Sequence, residues 1–313
     1  MSSRPRTRKV PLSTAEVCVI YNPAAGRGRA ARRLNRLRSV LSNRADFKPT
    51  EGPGHAEELA LKAACGGYAV VGAAGGDGTV HEVANGLLAA NRPGVNLAVY
   101  PVGSANDYAH ALGLTPEWWS RRAGGPTPRT RLVDVGLVQD NRGRRRYFIN
   151  GLGLGFNGAV TLESRRIRHL RGVFLYGVAM LRALRRHFRS PVMSITIDRS
   201  VRRVATLALS VAIGRREGNF VVAPDALVDD GWFDYLHAGA VSRWDLLRRV
   251  PQMIAGGLRA DHPLLWTGRC RDVRVQSESP LTVHLDGEVF CRPEDGLHEL
   301  EIRILPGALA VCH

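Results

Sequence analysis

The sequence predicts an α/β fold: an N-terminal doubly wound, mostly parallel α/β domain followed by a C-terminal β-sandwich-like domain. Three observations carry this. Short apolar runs alternate with amphipathic stretches over roughly the first 115 residues, giving the β-α-β-α-β-α-β rhythm of a parallel sheet. From about residue 131 the rhythm changes to closely spaced β-rich runs. The longest charge-free run, 147–162, falls short of the ~20 apolar residues of a membrane helix and is broken by glycine and asparagine.

The elements follow in order. Residues 16–23 (EVCVIYNP) read as a buried strand, running through a glycine turn into a helix with Leu34, Leu37 and Leu41 at helical spacing. A second strand at 46–54 precedes a helix at 55–67 closed by glycine. The apolar strand 68–79 ends in a glycine loop, then come a helix at 80–90, a strand and loop at 95–107 and a short helix at 108–114. Residues 131–138 and 144–150 read as strands around the basic loop DNRGRRR, and 162–188 as one long arginine-rich helical stretch. Strand-like runs fill most of the remainder, with helical character only at 242–258. The boundaries are a basic disordered tail at 1–14, the α/β domain at 15–130 with 303–313 as a candidate to return to it, and the β-rich domain at 131–302.

The charge balance is 44 basic against 28 acidic residues, a formal +16, and all the basic residues except Lys9, Lys48 and Lys62 are arginines. Such a surplus points to a polyanion, whether nucleic acid, membrane lipid or phosphorylated substrate, but codon composition alone also yields an arginine bias. Cys18, Cys65, Cys270, Cys291 and Cys312 form no C-x-x-C pair, so a disulfide framework or zinc site is disfavoured. The basic start is followed by no signal-peptide core, and a cytoplasmic protein is expected.

Several glycine loops match familiar templates weakly. Gly26-x-Gly28-x-x-Ala31 and Gly153-x-Gly155-x-x-Gly158 resemble dinucleotide fingerprints. A P-loop, H-E-x-x-H and G-x-S-x-G are all absent, and His81–Glu82 reads as surface decoration. The sharpest signal is Gly75-Gly76-Asp77-Gly78-Thr79, at the carboxyl end of a buried strand, where open α/β sheets bind ligands. Its glycines allow backbone N–H groups to approach phosphate, and Asp77 makes sense there through Mg²⁺. The plain alternative is a tight βα turn with a capping residue.

With these residues in place, the chain resembles the diacylglycerol kinase catalytic-domain family of soluble bacterial lipid kinases, which is related to sphingosine and ceramide kinases. The resemblance spans about 17–307. It rests on N-P-x-x-G (Asn22, Pro23, Gly26), T-x-x-x-G-x-A (Thr50, Gly54, Ala56), GGDGT-x-x-E-x-x-N-G-L (75–87) and P-x-G-S-A-N-D (101–107). D-V-G at Asp134, N-G-x-G-x-G-F (150–156), A-P-x-A-x-x-D-D-G-x-F (223–233) and D-G-E (286–288) complete it. One departure is Ser104, where the family usually has Thr; the hydroxyl is kept.

The resemblance implies an ATP-dependent lipid kinase with its nucleotide site in the interdomain cleft. The nucleotide would lie against Asn22, Thr50, the loop of Gly75, Gly76, Asp77, Gly78 and Thr79, and Ser104. Asp77, Asp107 and Asp134 would organise the catalytic Mg²⁺ and its waters; Asp286 would be the general base, with Glu288 its metal or orientation partner. At a strand end, Asp286 and Glu288 can face one side, though a plain β-turn is the bland reading. A second, structural Mg²⁺ would be held by Asp230 and the backbone oxygens of Leu227 and Trp232. The bland reading there is an ordinary Asp-Gly hairpin.

The 162–188 stretch carries Arg165, Arg166, Arg168 and Arg171 early and Arg182, Arg185, Arg186 and Arg189 late, around an apolar centre. That pattern suits either a helix lying on an anionic membrane or a core helix with solvated ends. The expected activity is conversion of diacylglycerol to phosphatidic acid. The rivals are an NAD kinase, a kinase for ceramide, a sphingoid base or a prenol, and a non-catalytic membrane- or nucleic-acid-binding module. The expected partners are a lipid substrate and anionic phospholipid at the inner face of the membrane, with peripheral association. A homodimer is allowed by the resemblance, and no nucleic-acid-binding motif is present.

Overall fold

The computed structural model describes residues 16–24, 29–115, 118–119, 129–167, 169–170, 172–218, 220–255 and 262–313. The proposed tail 1–14, Gly26 and Gly28 of the first glycine fingerprint, Arg168 and Arg171 lie outside the described residues.

The first domain is built from β1 (Val17–Tyr21), α1 (Arg29–Leu41), β2 (Ala45–Pro49), α2 (His55–Cys65), β3 (Val70–Gly75), α3 (Asp77–Ala90), β4 (Asn96–Pro101) and α4 (Asp107–Ala111). Its strands pair in parallel in the order β4-β3-β1-β2. Alternation along β1 explains why these strands read as unbroken apolar runs. Cys18 and Ile20 pack with Ala56, Ala60, Val80 and Val83 of α2 and α3, whereas Val19 packs with Leu37 of α1 on the opposite face. A sheet covered on both faces has no polar side to show.

The second domain contains β5 (Thr130–Asp140), β6 (Arg145–Phe148), β7 (Gly151–Gly155), α5 (Phe156–Ser164), α6 (Gly172–Arg186), β8 (Val192–Ile197) and β9 (Ser200–Ala212). There follow β10 (Arg216–Glu217), β11 (Phe220–Val221), β12 (Phe233–Gly239), α7 (Arg243–Ala255), β13 (Leu265–Cys270) and β14 (Asp272–Ser277). The last elements are β15 (Val283–Leu285), β16 (Glu288–Cys291) and β17 (Glu299–Cys312). The long strand β9 makes the sandwich corner: its first half pairs with β8 and its second half with β7 and β12. β17 runs antiparallel to β5, bulges between Leu305 and Leu309, and then meets β4 in parallel through Val311 and Leu97. Among the described residues, one hydrogen-bonded network of 15 strands therefore crosses both domains. Among the described residues, no helix is long and apolar enough to cross a membrane.

The single helix expected over 162–188 is corrected to α5 and α6 with a turn between them. Buried Glu163 is the physical reason. Its carboxylate takes Arg166 at 2.7 Å, His187 at 3.2 Å and Arg186 at 3.5 Å, so the end of α6 is drawn back to the end of α5. A buried carboxylate needs such partners. Burial pushes its pKa up, but His187, Arg166 and Arg186 outweigh burial and hold it below the ordinary value. α5 ends where the Arg166 N–H donates to the Glu163 carbonyl at 3.1 Å and the Ile167 N–H to the Ser164 carbonyl at 3.1 Å. Two of the early arginines thus serve the fold and the cleft; Arg165 is described below.

Candidate active site

Two cavities meet at the carboxyl edge of the parallel sheet. The first is a polar cleft of about 1670 Å³. Asn22, Thr50, Gly76, Gly78, Thr79 and Ser104 line it. Gly75 lies beneath, its carbonyl accepting the N–H groups of Val102 at 3.2 Å and Gly103 at 3.1 Å, which locks the GGDGT loop to the PVGSAND loop. Where these loops approach most closely only glycine fits: a Cβ on Gly103 would come within 2.4 Å of the Gly76 Cα. Asn22 is committed locally, its Oδ1 accepting the Ala24 N–H at 2.8 Å.

The second cavity, about 1070 Å³, lies against α5, α6 and α7. Its walls are apolar, with Phe156, Val160, Met180, Phe220, Leu246 and Val250 among them. One end is acidic and holds Asp77, Asp107 and Asp286. Ala105 and Tyr176 line both cavities, so the acidic end of the apolar chamber adjoins the polar cleft. Burial pushes the Tyr176 hydroxyl up to about 12, with Asp107 and Glu217 adding to the shift. Tyr176 is therefore a neutral wall.

Asp286 sits in the turn between β15 and β16, where Asp286 and Gly287 have φ of 52° and 80°. Its side chain is 3% exposed. Oδ1 accepts the N–H groups of Asn150 at 2.8 Å and Gly151 at 2.9 Å. Oδ2 accepts the Ile149 N–H at 3.0 Å and lies 2.7 Å from His81 Nδ1. Burial is the largest influence on its pKa and raises it, but the His81 hydrogen bond and charge and the backbone donors together hold it below the usual carboxylate value. Asp77 moves the opposite way. Burial pushes it up; the N–H groups of Tyr108 and Asn106 oppose this, and the Asp286 charge adds to it. Two nearby carboxyls pushed apart in this manner can take different roles.

Asp286 and Glu288 do not face one side as the strand reading expects. The left-handed backbone of the turn reverses the chain between them. Asp286 points into the apolar chamber, while Glu288 lines the polar cleft, where Arg165 Nη2 pairs with it and also donates to the Gly287 carbonyl at 2.9 Å. Arg165 thus braces the D-G-E turn. A Cβ on Gly78 would meet Glu288 Oε1 at 2.6 Å, so the GGDGT loop and the D-G-E turn are in van der Waals reach.

Asp107 joins Asp77 at the chamber wall, its Oδ2 accepting the Gly218 N–H at 2.7 Å. Asp134 is placed elsewhere. Its oxygens accept the N–H groups of Gly231 at 2.7 Å and Gly307 at 2.9 Å, tying β5 to the Asp230 turn and the β17 bulge, and it lines neither cavity. Among the described residues, no three His, Cys, Asp or Glu side chains stand as a metal-holding group. Buried Asp107 and half-buried Asp77, both at the acidic end of the chamber, fit an ion held through its own water shell, the usual habit of Mg²⁺. The structural ion is a poorer fit. Arg269 Nη2 pairs with Asp230 Oδ2, and Asp230 Oδ1 accepts the Trp232 N–H at 3.1 Å. A guanidinium already balances the charge that the ion would neutralise.

His81 and Glu82 are the residues that sequence reasoning missed. His81 is not surface decoration: it is 2% exposed and holds Asp286. Asn85 lies beside its Nε2 and donates to the carbonyls of His81 at 2.9 Å and Tyr147 at 3.1 Å. Glu82 accepts the N–H groups of Gly54 at 2.9 Å and Ala56 at 3.1 Å, fixing the start of α2 to α3. The usable signal is position: both residues fall within one turn of the GGDGT loop, on a helix packed between α2 and the second domain.

Residues 16–137 match the family described as the diacylglycerol kinase catalytic domain, and 151–313 match the YegS C-terminal NAD kinase beta sandwich-like domain. The chain is 29% identical over 280 residues to the diacylglycerol kinase of Bacillus subtilis (strain 168), covering 86% of this chain and 88% of that one. It is 32% identical over 273 residues to a YegS-like lipid kinase of Chromohalobacter salexigens, covering 82% and 80%. A solved diacylglycerol kinase structure from Bacillus anthracis str. Sterne superposes with a TM-score of 0.66 over 95% of this chain and 96% of the other, at 18% identity. At that identity the likeness speaks for the fold alone.

Proposed function

The chain belongs to the diacylglycerol kinase catalytic-domain family and is a lipid kinase; from that premise we propose that it transfers the γ-phosphate of ATP to the primary hydroxyl of diacylglycerol, giving phosphatidic acid and ADP. The observation that carries the lipid assignment is the apolar chamber whose acidic end adjoins the polar cleft. Acyl chains suit its walls, and a hydroxyl at its acidic end stands beside the GGDGT loop. An NAD-sized polar substrate has no match in walls made of Phe156, Val160, Met180 and Leu246.

In this reading the lipid hydroxyl oxygen forms the new P–O bond, the bond from the γ-phosphorus to the bridging oxygen breaks, and the hydroxyl proton passes to Asp286. Phosphoryl transfer depends mainly on positioning and charge neutralisation. Asp286 suits the first task because His81 and three backbone donors fix both of its oxygens. Mg²⁺, when bound, neutralises phosphate charge; Asp77 and Asp107 are the residues that would hold it through water. The nucleotide lies against Asn22, Thr50, Gly76, Gly78, Thr79 and Ser104.

The test is transfer of labelled γ-phosphate from ATP to diacylglycerol in mixed micelles, with ceramide, a sphingoid base, a prenol and NAD run beside it. Diacylglycerol is expected to be the preferred acceptor. Labelling of NAD and of no lipid would overturn the substrate assignment.

A further inference from the structure

A side chain shared by two cavities governs what passes between them. Ala105 and Tyr176 are the residues common to the linings of the polar cleft and the apolar chamber. Ala105 offers a single methyl group, so the bulk of the shared wall is the Tyr176 ring.

The ring is seated by two contacts. It lies on Gly218, where a Cβ would stand 2.8 Å from Tyr176 Cζ and 3.0 Å from both Cε atoms. Only glycine admits the ring this closely, and with φ of 60° Gly218 also donates its N–H to Asp107 Oδ2 at 2.7 Å. Phe220 meets the ring edge to face, with centroids 6.3 Å apart and planes at 89°. Tyr176 thus reaches from α6 to the β10–β11 hairpin, beside the acidic end of the chamber. Both contacts are made by the ring and not by the hydroxyl.

The chemistry at this junction has a competitor. In the transfer proposed above, the oxygen that attacks the γ-phosphorus belongs to a lipid hydroxyl. A water from the polar cleft at the same place would give hydrolysis. Its oxygen would form the new P–O bond, the bond from the γ-phosphorus to the bridging oxygen would break, and one proton would pass to Asp286. The products would be ADP and inorganic phosphate. Transfer sites suppress such side reactions by closing water out. A flat apolar ring seated between a wet cleft and a dry chamber is built for that task.

We propose that the ring of Tyr176 shields the transfer point from water, and so makes a lipid hydroxyl rather than water the phosphoryl acceptor. The acceptor's identity rests on the function proposed above; the shield is read from the seat of the ring between the two cavities.

The experiment measures ADP and lipid phosphate formed from labelled ATP by the full chain, with diacylglycerol micelles and without lipid. Wild type should give a ratio of ADP to lipid phosphate of about one and little hydrolysis without lipid. Tyr176→Ala should raise that ratio, and the lipid-free hydrolysis, at least about threefold. Tyr176→Phe keeps the ring and should hold the wild-type ratio. Tyr176→Leu keeps an apolar side chain and should shift the ratio in the same direction as alanine but less, so the test stands if the alanine variant folds poorly by circular dichroism. A slower enzyme with an unchanged ratio in both the alanine and leucine variants overturns the proposal, because a merely structural role lowers both products together. So does an equal rise in Tyr176→Phe, which would move the role to the hydroxyl. If the wild type phosphorylates no lipid but the alanine variant alone gains ATP hydrolysis, the shield is supported and the lipid acceptor falls instead.

Discussion

Asp230-Gly231 and Asp286-Gly287 are the same dipeptide in the same setting, a tight turn leading into a strand, yet their carboxylates have opposite fates. Asp286 is enclosed, takes its hydrogen bonds from His81 and three backbone N–H groups, and faces a cavity. Asp230 stands nearer the surface, is neutralised by Arg269 and braces its own turn through Trp232. Burial among fixed donors makes a carboxylate an oriented tool; an arginine at the surface makes it a strut. The difference lies in what the rest of the chain brings to each turn, not in the turn.

The largest test of this contrast exchanges the two aspartates for asparagine separately. Asp286→Asn should lower kcat by about 10³-fold, the range for loss of a general base, with circular dichroism unchanged. Asp230→Asn should leave lipid phosphorylation within about twofold, as expected for a surface pair. Equal losses would erase the distinction. The next test removes the donor that separates the turns. His81→Ala should lower kcat by about 10- to 100-fold, the value of a hydrogen bond to a charged group, with KM for ATP little changed, and His81→Asn should restore part of it. A change in KM alone would place His81 outside the handling of Asp286.

A smaller effect belongs to the other turn. Arg269→Met should cost about 0.5–1 kcal/mol in denaturant unfolding. Because the guanidinium already balances Asp230, chelator or added Mg²⁺ should shift the melting temperatures of the wild type and of Asp230→Asn by the same amount. A larger drop on chelation in the wild type than in Asp230→Asn would restore the ion to that site. The smallest effect is in pH. The folded pKa of Asp286 lies below its unfolded value of 3.8, so its stabilisation is fully present above that value and is lost as pH falls below it. Wild type and Asp286→Asn should therefore converge in stability as pH falls progressively below 3.8. A gap that widened in acid would reverse the assigned direction.

Much of this was legible in the sequence for a physical reason. The parallel domain announces itself because a sheet covered on both faces leaves continuous apolar strands, as in β1 and β3. The polar cleft is legible because close approach of two loops admits only glycine, and Gly76 and Gly103 carry that requirement in their letters. The break between α5 and α6 was not legible, since it depends on Glu163 meeting Arg186 and His187 from across the turn. His81 was hidden for the same reason: a polar residue on an amphipathic helix looks solvated until the D-G-E turn arrives to bury it. Asp134 shows the converse, a motif aspartate whose oxygens are claimed by Gly231 and Gly307 away from the cleft.

The strand that joins the two domains also governs how the molecule is made. β17 meets β4 in parallel through Val311 and Leu97, so part of the edge of the parallel sheet is covered by a strand that follows the other described elements of both domains in the chain. Until then β4 presents an open row of backbone donors and acceptors, the kind of edge that pairs with the wrong chain. This edge of the N-terminal domain thus waits for a strand that comes after the second domain's other elements to cover it.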